Sequence, residues 1–443
     1  MLFIYIISYL LSVVLYCFKH NYLASVVMIS LAIFLYAADY KKNNRVVNAR
    51  GLFAIGFIGG FGVSLLKLSS LSAEYSMMMF ITIFITYFSV YIGNFLSKKT
   101  FYIKGITLEN DITITNKKLL NQEVLIIILF LVTLISFIIE VMILKFIPFF
   151  TVDTPHAYST FHVFMIHYIT SFYAFIPCFA LCNFFIEPNR KISKIFLILS
   201  YVYVIIMSIL LISRSRLIQC IVLSVFIIII NNQSGLKALF SDKRKILLIG
   251  ISVVLFMVLY VIITISRAHD ITYLNSIFEM KNYKLPIFIS QPYMYIAHNF
   301  ENLNYMINNV FRLTFGRRSL NPLFTLTFIK KLFPFVLDAP SYIIKEELST
   351  LTLVYDAYYD FGLVGVAVFS FIIGYVGKIL EEITYNLVNH KNIKNNYLII
   401  LLSLFCYYML FSFFQTYFSL TDTWVYIIFI TLLTLFIKIE KSK

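Results

Sequence analysis

Charge is what this sequence has least of. Only 13% of its 443 residues are Asp, Glu, Lys or Arg, about half the share of a soluble globular domain. Acidic residues are the scarcer kind, 21 against 36 basic ones, which leaves a formal net charge of +15. Tryptophan occurs once, at Trp424, and there are 5 cysteines, 9 prolines and 14 glycines. So little charge excludes a cytosolic enzyme, because the surface could not be solvated. So few cysteines exclude a disulfide-stapled secreted module. With 60% of residues hydrophobic, a disordered chain is excluded as well. What remains is a polytopic integral membrane protein, in which basic excess belongs in cytoplasmic loops rather than against nucleic acid. The 46 Phe and 32 Tyr read as codon bias plus lipid-facing packing.

Cofactor signals are missing too. Cys17, Cys178, Cys182, Cys220 and Cys406 all lie in apolar stretches. Cys178 and Cys182 share a helix face, but no His or acid completes a metal-ligand pattern with them, so they read as small apolar side chains. No P-loop, GxGxxG, HExxH or GxSxG occurs. The expectation is therefore no cofactor, no nucleotide and no metal.

A helix needs roughly 20 apolar residues to cross the hydrocarbon core. On that template about twelve spans are expected, at 2–18, 22–38, 51–66, 76–96, 123–147, 160–186, 195–213, 217–231, 246–265, 354–377, 397–418 and 423–438. The first lacks a basic n-region and a small-residue cleavage site, so it reads as a retained span rather than a signal peptide. Lys and Arg concentrate in alternate connections, for example Lys41, Lys42, Arg45 and Arg50, then Arg190, Lys191 and Lys194, then Lys237, Lys243, Arg244 and Lys245. The alternation predicts cytoplasmic N- and C-termini. The fold class expected is all-α and polytopic, in three parts: spans one to nine over 1–265, an extracytoplasmic loop with short helices over 266–353, and spans ten to twelve over 354–443.

Candidate chemistry collects on the outer side. Arg214 and Arg216 form a Ser-Arg-Ser-Arg turn, Arg267 and His269 follow span nine, and Arg312, Arg317 and Arg318 lie in the outer loop. Guanidinium groups offer planar forks of donors that match phosphate oxygens, although arginines at helix ends also snorkel to headgroups. His298 and Glu301, three apart in AHNFENLN, share one helix face. Glu346 and Glu347 precede span ten, while Asp356 and Asp360 begin it; such groups supply general bases. Within the spans, Glu140 is placed to pair with Lys145, and His162 and His167 read as structural or hydrogen-bonding groups.

The stretch 351–365, LTLVYDAYYDFGLVG, places tyrosines and a DFGxxG at the start of a late span. Together with the Ser-Arg-Ser-Arg turn, SRAHD after a span and the large outer loop, it resembles the oligosaccharide repeat unit polymerases, the Wzy-type O-antigen and capsule polymerases. The resemblance in layout covers most of the chain, though each short motif is weak alone. It implies a GT-C-like glycosyltransferase of the bacterial inner membrane that joins undecaprenyl-pyrophosphate-linked repeat units on the periplasmic face. It implies as partners the lipid-linked oligosaccharides, the bilayer, a chain-length regulator and a flippase. On that basis Arg214, Arg216 and Arg267 are expected at the pyrophosphate, His269, His298 or a carboxylate as a base, and Arg317, Arg318, Tyr359 and Asp360 at the second substrate, with Asp360 and Gly362 also shaping the start of span ten and Gly365 allowing close helix packing. A flippase or exporter of the same lipid-linked units is the competing reading, against which the lack of repeated halves counts. A membrane acyltransferase is a third, which would want its unusual residues on the cytoplasmic side.

Overall fold

The computed structural model describes residues 1–103, 116–151, 157–186, 188–232, 271–389 and 396–439. The expected span 246–265, with Arg267 and His269, lies outside the described residues. Those described are helical wherever they are regular, with no strand. In chain order the helices are α1 (Leu2–Cys17), α2 (Asn21–Asn43), α3 (Ala49–Ser64), α4 (Met77–Ile103), α5 (Asn116–Leu144), α6 (Ile166–Ile186), α7 (Lys191–Leu210) and α8 (Arg214–Asn231). They continue with α9 (Ile271–Phe278), α10 (Ile287–Asn309), the short α11 (Asn321–Leu326), α12 (Ile329–Leu332) and α13 (Pro334–Leu337), then α14 (Tyr355–Asn389), α15 (Asn396–Leu410) and α16 (Thr421–Ile439).

Seven of these, α2, α4 to α8 and α14, contain stretches long and apolar enough to cross a membrane. Shorter apolar helices coincide with the expected spans at 2–18, 51–66, 397–418 and 423–438. The chain is thus an all-helical, membrane-embedded protein. One boundary differs from expectation in an instructive way. The connection expected at 378–396 is helical as far as Asn389. Lys378, the first residue past the expected span 354–377, is 1% exposed and pairs with Glu381 and Glu382 one turn on, at 3.1 and 2.7 Å. Those pairs neutralise the charge inside the helix, so the apolar period does not have to stop there.

By contact the chain forms two discontinuous units. Unit 1 comprises Met1–Thr107, Ile271–Ile383 and Phe405–Val425. Its core is aromatic: Tyr5, Phe57, Phe61, Tyr87 and Phe300 are fully enclosed. Their rings meet at 4.8 to 5.7 Å, as in Tyr5–Tyr87, Phe57–Phe300 and Phe61–Phe300. Much of the aromatic content therefore serves helix packing rather than lipid contact. Tyr hydroxyls inside the apolar core need partners, and Tyr9 Oη donates to the Phe80 carbonyl at 2.6 Å. Helix α3 contains a π turn, Ala54–Gly59. Gly56 within it lies against the backbone of Met409 and Leu410, where any Cβ would collide; small residues permit such close approach. At the amino end of α3, Asn48 caps Gly51 N at 2.7 Å. There Arg50 pairs with Asp39, Arg45 with Glu382 at 3.0 Å, and Ala49 N donates to Glu381 at 2.5 Å.

Unit 2 comprises Leu108–Asp270, Thr384–Leu404 and Tyr426–Lys443. Its α6 is not continuous α-helix: a 3-10 stretch, Ser171–Phe175, precedes Pro177. Proline lacks the N–H that would bond four residues back, so the preceding turn tightens. Polar pairs tie the apolar helices together. Thr133 and Tyr203 meet at 3.0 Å, Tyr173 and Ser208 at 3.2 Å, and Arg190 donates to Glu123 at 3.1 Å.

Candidate functional site

The site is built in unit 1 where the turn 314–320 meets the start of α14. Asp360 is fully buried. Its carboxylate accepts from the Thr314 hydroxyl, from Arg318 N at 3.2 Å and from Ser319 N at 2.7 Å. Thr314 N and Phe315 N donate to the Tyr359 and Asp360 carbonyls, both at 3.2 Å. A buried carboxylate with this many donors fixes a turn as a helix cap would. Those carbonyls are available because α14 breaks after its first turn. Phe361 has φ −139° and Gly362 has φ +59°, ψ −146°, a backbone region that only glycine enters readily. DFG is thus the place where α14 restarts and grips the arginine turn.

The gripped turn presents Arg317 and Arg318. Arg318 Nε donates to Asp356 at 2.5 Å and its Nη1 to the Ala339 carbonyl at 2.5 Å. Its guanidinium lies 5.5 Å from the ring centres of both Tyr355 and Tyr359, within cation–π range. Burial opposes its charge, but adjacent Asp356 more than offsets this and raises the pKa, so the side chain stays cationic. Arg317 is exposed, and its guanidinium donates no hydrogen bond to, and forms no ion pair with, the described residues. Both arginines line a cleft of about 180 Å³, with Asn321, Lys330, Asp338, Asp356, Thr416 and Ser419 among its walls. Lys330 Nζ donates to Asn321 at 3.0 Å. Three cations face two carboxylates across polar walls, so the cleft suits an anionic, hydroxyl-rich ligand.

Of the residues singled out in the sequence, the structure brings Arg317, Arg318, Asp356, Tyr359 and Asp360 together. Tyr359 (4% exposed) and Asp360 are both enclosed and form the wall behind Arg318, with Asp360 at the start of α14 as its shaping role predicts. Arg312, Glu346 and Glu347 are exposed. Lys330, Asn321 and Asp338 carry no motif that marks them, apart from the paired lysines in NPLFTLTFIKKLFPF, which are a signal for Lys330.

AHNFENLN forms a buried polar ladder on α10. Glu301 accepts from Lys67 Nζ at 2.6 Å, Tyr75 Oη at 2.9 Å and Ala73 N at 3.2 Å. Asn304 accepts from Ser76 N at 3.1 Å, and Asn302 holds the 344–350 segment by accepting from Ile344 N and donating to the Leu348 and Thr350 carbonyls. These residues pin two loops to α10. His298 alone differs. It is 2% exposed, and neither ring nitrogen has a hydrogen-bond partner among the described residues. A sugar hydroxyl would reach it only by displacing its neighbours.

Burial, with Lys345 adding to it, lowers the His298 pKa from 6.5 to about 4. Unfolded, the ring binds a proton below pH 6.5; folded, it refuses one until about pH 4. Its stabilising contribution is complete above 6.5 and is lost as pH falls toward 4, roughly 3 kcal/mol over that interval. His298→Leu is expected to flatten this acid limb. Thermal unfolding in detergent at pH 7 and pH 4.5 measures it; an unchanged limb would contradict the assignment.

Arg214 and Arg216 belong to unit 2, in the first turn of α8. Cations there oppose the helix dipole, so the position has a cost. Arg214 is 7% exposed. Arg216 donates to Gln219 at 3.0 Å and lies 5.1 Å from the Tyr426 ring centre.

Fold and cleft together define a class: an all-helical, membrane-embedded protein with a cationic, polar cleft at the restart of a long helix. In comparisons with known proteins, no family model, no curated protein and no solved structure matches the chain.

Proposed function

We propose that this chain is a membrane glycosyltransferase that polymerises undecaprenyl-pyrophosphate-linked oligosaccharide repeat units into O-antigen or capsular polysaccharide. The observation that carries the reading is the cleft: Arg318 fixed between Asp356 and two tyrosines, with Arg317 and Lys330 beside it. In this reading the cleft holds phosphates and sugars of a lipid-linked unit. Arg214, Arg216 and Arg267 take the pyrophosphate of the donor. The acceptor hydroxyl oxygen bonds to the donor's anomeric carbon, and the bond from that carbon to the pyrophosphate breaks, the electron pair leaving with the phosphate. Cations positioned at the leaving group offset its developing charge. The donor bond is already activated, so no nucleotide is required. The finer topology is part of the proposal: about twelve crossings in a GT-C-like arrangement of the bacterial inner membrane, termini cytoplasmic and the cleft on the periplasmic face.

Deleting the gene and analysing surface glycans by gel tests the reading. Single repeat units with no longer polymer, restored to long chains by the wild-type gene, are expected. A deletion that leaves no repeat unit outside the cell would instead favour the flippase reading, and unchanged polymer would exclude both.

A further inference from the structure

Unit 2 contains a carboxylate–imidazole pair that the cleft leaves unused. Glu140, near the end of α5, is fully buried. Its Oε1 accepts from Val163 N at 3.2 Å and lies 3.1 Å from His167 Nδ1. The expected partner, Lys145, is not the one bound. Val163 is held in turn by His167 N, which donates to its carbonyl at 2.9 Å. Between them Met165 adopts φ +67°, a strained value for a residue with a side chain. The segment thus folds over the carboxylate and keeps the ring against it.

A tie between two apolar helices needs only neutral partners. Here a carboxylate is enclosed, and its second oxygen, Oε2, has no partner among the described residues. An ionisable side chain enclosed within an apolar helix marks a candidate for function rather than a packing contact. With Nδ1–H donated to Glu140, the neutral ring carries its lone pair at Nε2. The His167 side chain is 26% exposed, so Nε2 is the nitrogen left for a ligand. Among the described residues, the titratable groups set against His167 are Glu140 and His162, whose ring centre is 5.0 Å away.

The placement supports the same role. Within unit 2, Tyr173 of α6 meets Ser208 of α7 at 3.2 Å, and Phe175 of α6 lies 4.9 Å from Tyr426, the ring under Arg216. The start of α6 and the start of α8 are therefore at one end of the unit, and the pair shares that end with Arg214 and Arg216.

We propose that the Glu140–His167 pair is the proton acceptor of the transferase, an inference that rests on the polymerase reading. As the acceptor hydroxyl oxygen bonds to the anomeric carbon and the pyrophosphate departs with its electron pair, the hydroxyl proton passes to His167 Nε2. Glu140 stays ionised and balances the imidazolium; the proton then leaves to water. Glu140 acts through His167 and is a positioning residue.

The test uses full-length protein in liposomes supplied with purified lipid-linked repeat units. His167→Gly is expected to lower turnover by about 100-fold or more, and added imidazole to restore a measurable part. Glu140→Gln is expected to lower kcat with KM unchanged, with Glu140→Asp recovering part of the loss. His167→Gln polymerising within twofold of wild type would overturn the inference, as would a folded His167→Gly protein that imidazole does not rescue. Wild-type protein that leaves the units unextended would overturn the polymerase reading and this inference with it.

Discussion

Arg318→Ala is expected to abolish polymer and loosen the fold, whereas Arg317→Ala is expected to abolish or shorten polymer and leave stability alone. The two arginines are neighbours, but their surroundings differ. Arg318 is the only cation bonded to Asp356, itself 3% exposed, among the described ion pairs. Removing it leaves a buried carboxylate unpaired, which costs about 3–5 kcal/mol. It also frees the Ala339 carbonyl and the faces of Tyr355 and Tyr359. Arg318→Lys keeps the charge but not the fork that reaches both partners, so only part of each loss should return. Arg317 is exposed, and its removal should change stability by less than about 0.5 kcal/mol. Glycan chain-length profiles in a deletion strain, read beside unfolding midpoints of the purified variants, separate the effects. Normal chain length with Arg317→Ala would show that the open cation does not engage substrate.

Lys67→Met is expected to cost about 3 kcal/mol at pH 8 and distinctly less at pH 5. Burial lowers the Lys67 pKa to about 8 despite Glu301 beside it, and burial raises that of Glu301. Both shifts mean that enclosing the charges weighs heavily, so removing one partner is far worse than removing both. Without Lys67, Glu301 is a lone buried carboxylate whose folded pKa lies above its unfolded one. Such a group is best tolerated at low pH, and its penalty grows as pH rises through the folded value. The stability gap to wild type should therefore narrow on acidification, and Lys67→Met with Glu301→Gln should recover much of the loss. Unfolding of wild type and variants in parallel at each pH decides it; a gap independent of pH would mean that Glu301 keeps its charge when unpaired.

The sequence made some of this legible and concealed the rest for physical reasons. Long apolar runs mark helices because only a closed backbone ladder survives in lipid, and α2, α4 to α8 and α14 were readable on that ground. Arg318, Asp356 and Asp360 were each visible as unusual residues. Their contact was not, because no local pattern links positions about 40 apart. Asp360 is readable as a residue that shapes the start of span ten, but its three donors, all from the 314–319 turn, are not. Lys67 reads as a connector cation just past the expected span 51–66, because its partner Glu301 is more than two hundred residues away. Lys378 was misplaced for the opposite reason: its partners are one turn off, and the spacing to Glu381 and Glu382 was there to be read.

The long-range pairs of unit 1 also set an order of biosynthesis. A chain emerges and inserts from its amino end, yet Lys67 waits for Glu301, Arg45 and Ala49 N wait for Glu381 and Glu382, and Gly56 waits for the backbone at 409–410. The first four helices are thus made long before the groups that neutralise and close them. Ribosomes stalled before residue 380 should leave a nascent protein whose first four helices are inserted, incompletely packed and open to membrane proteases.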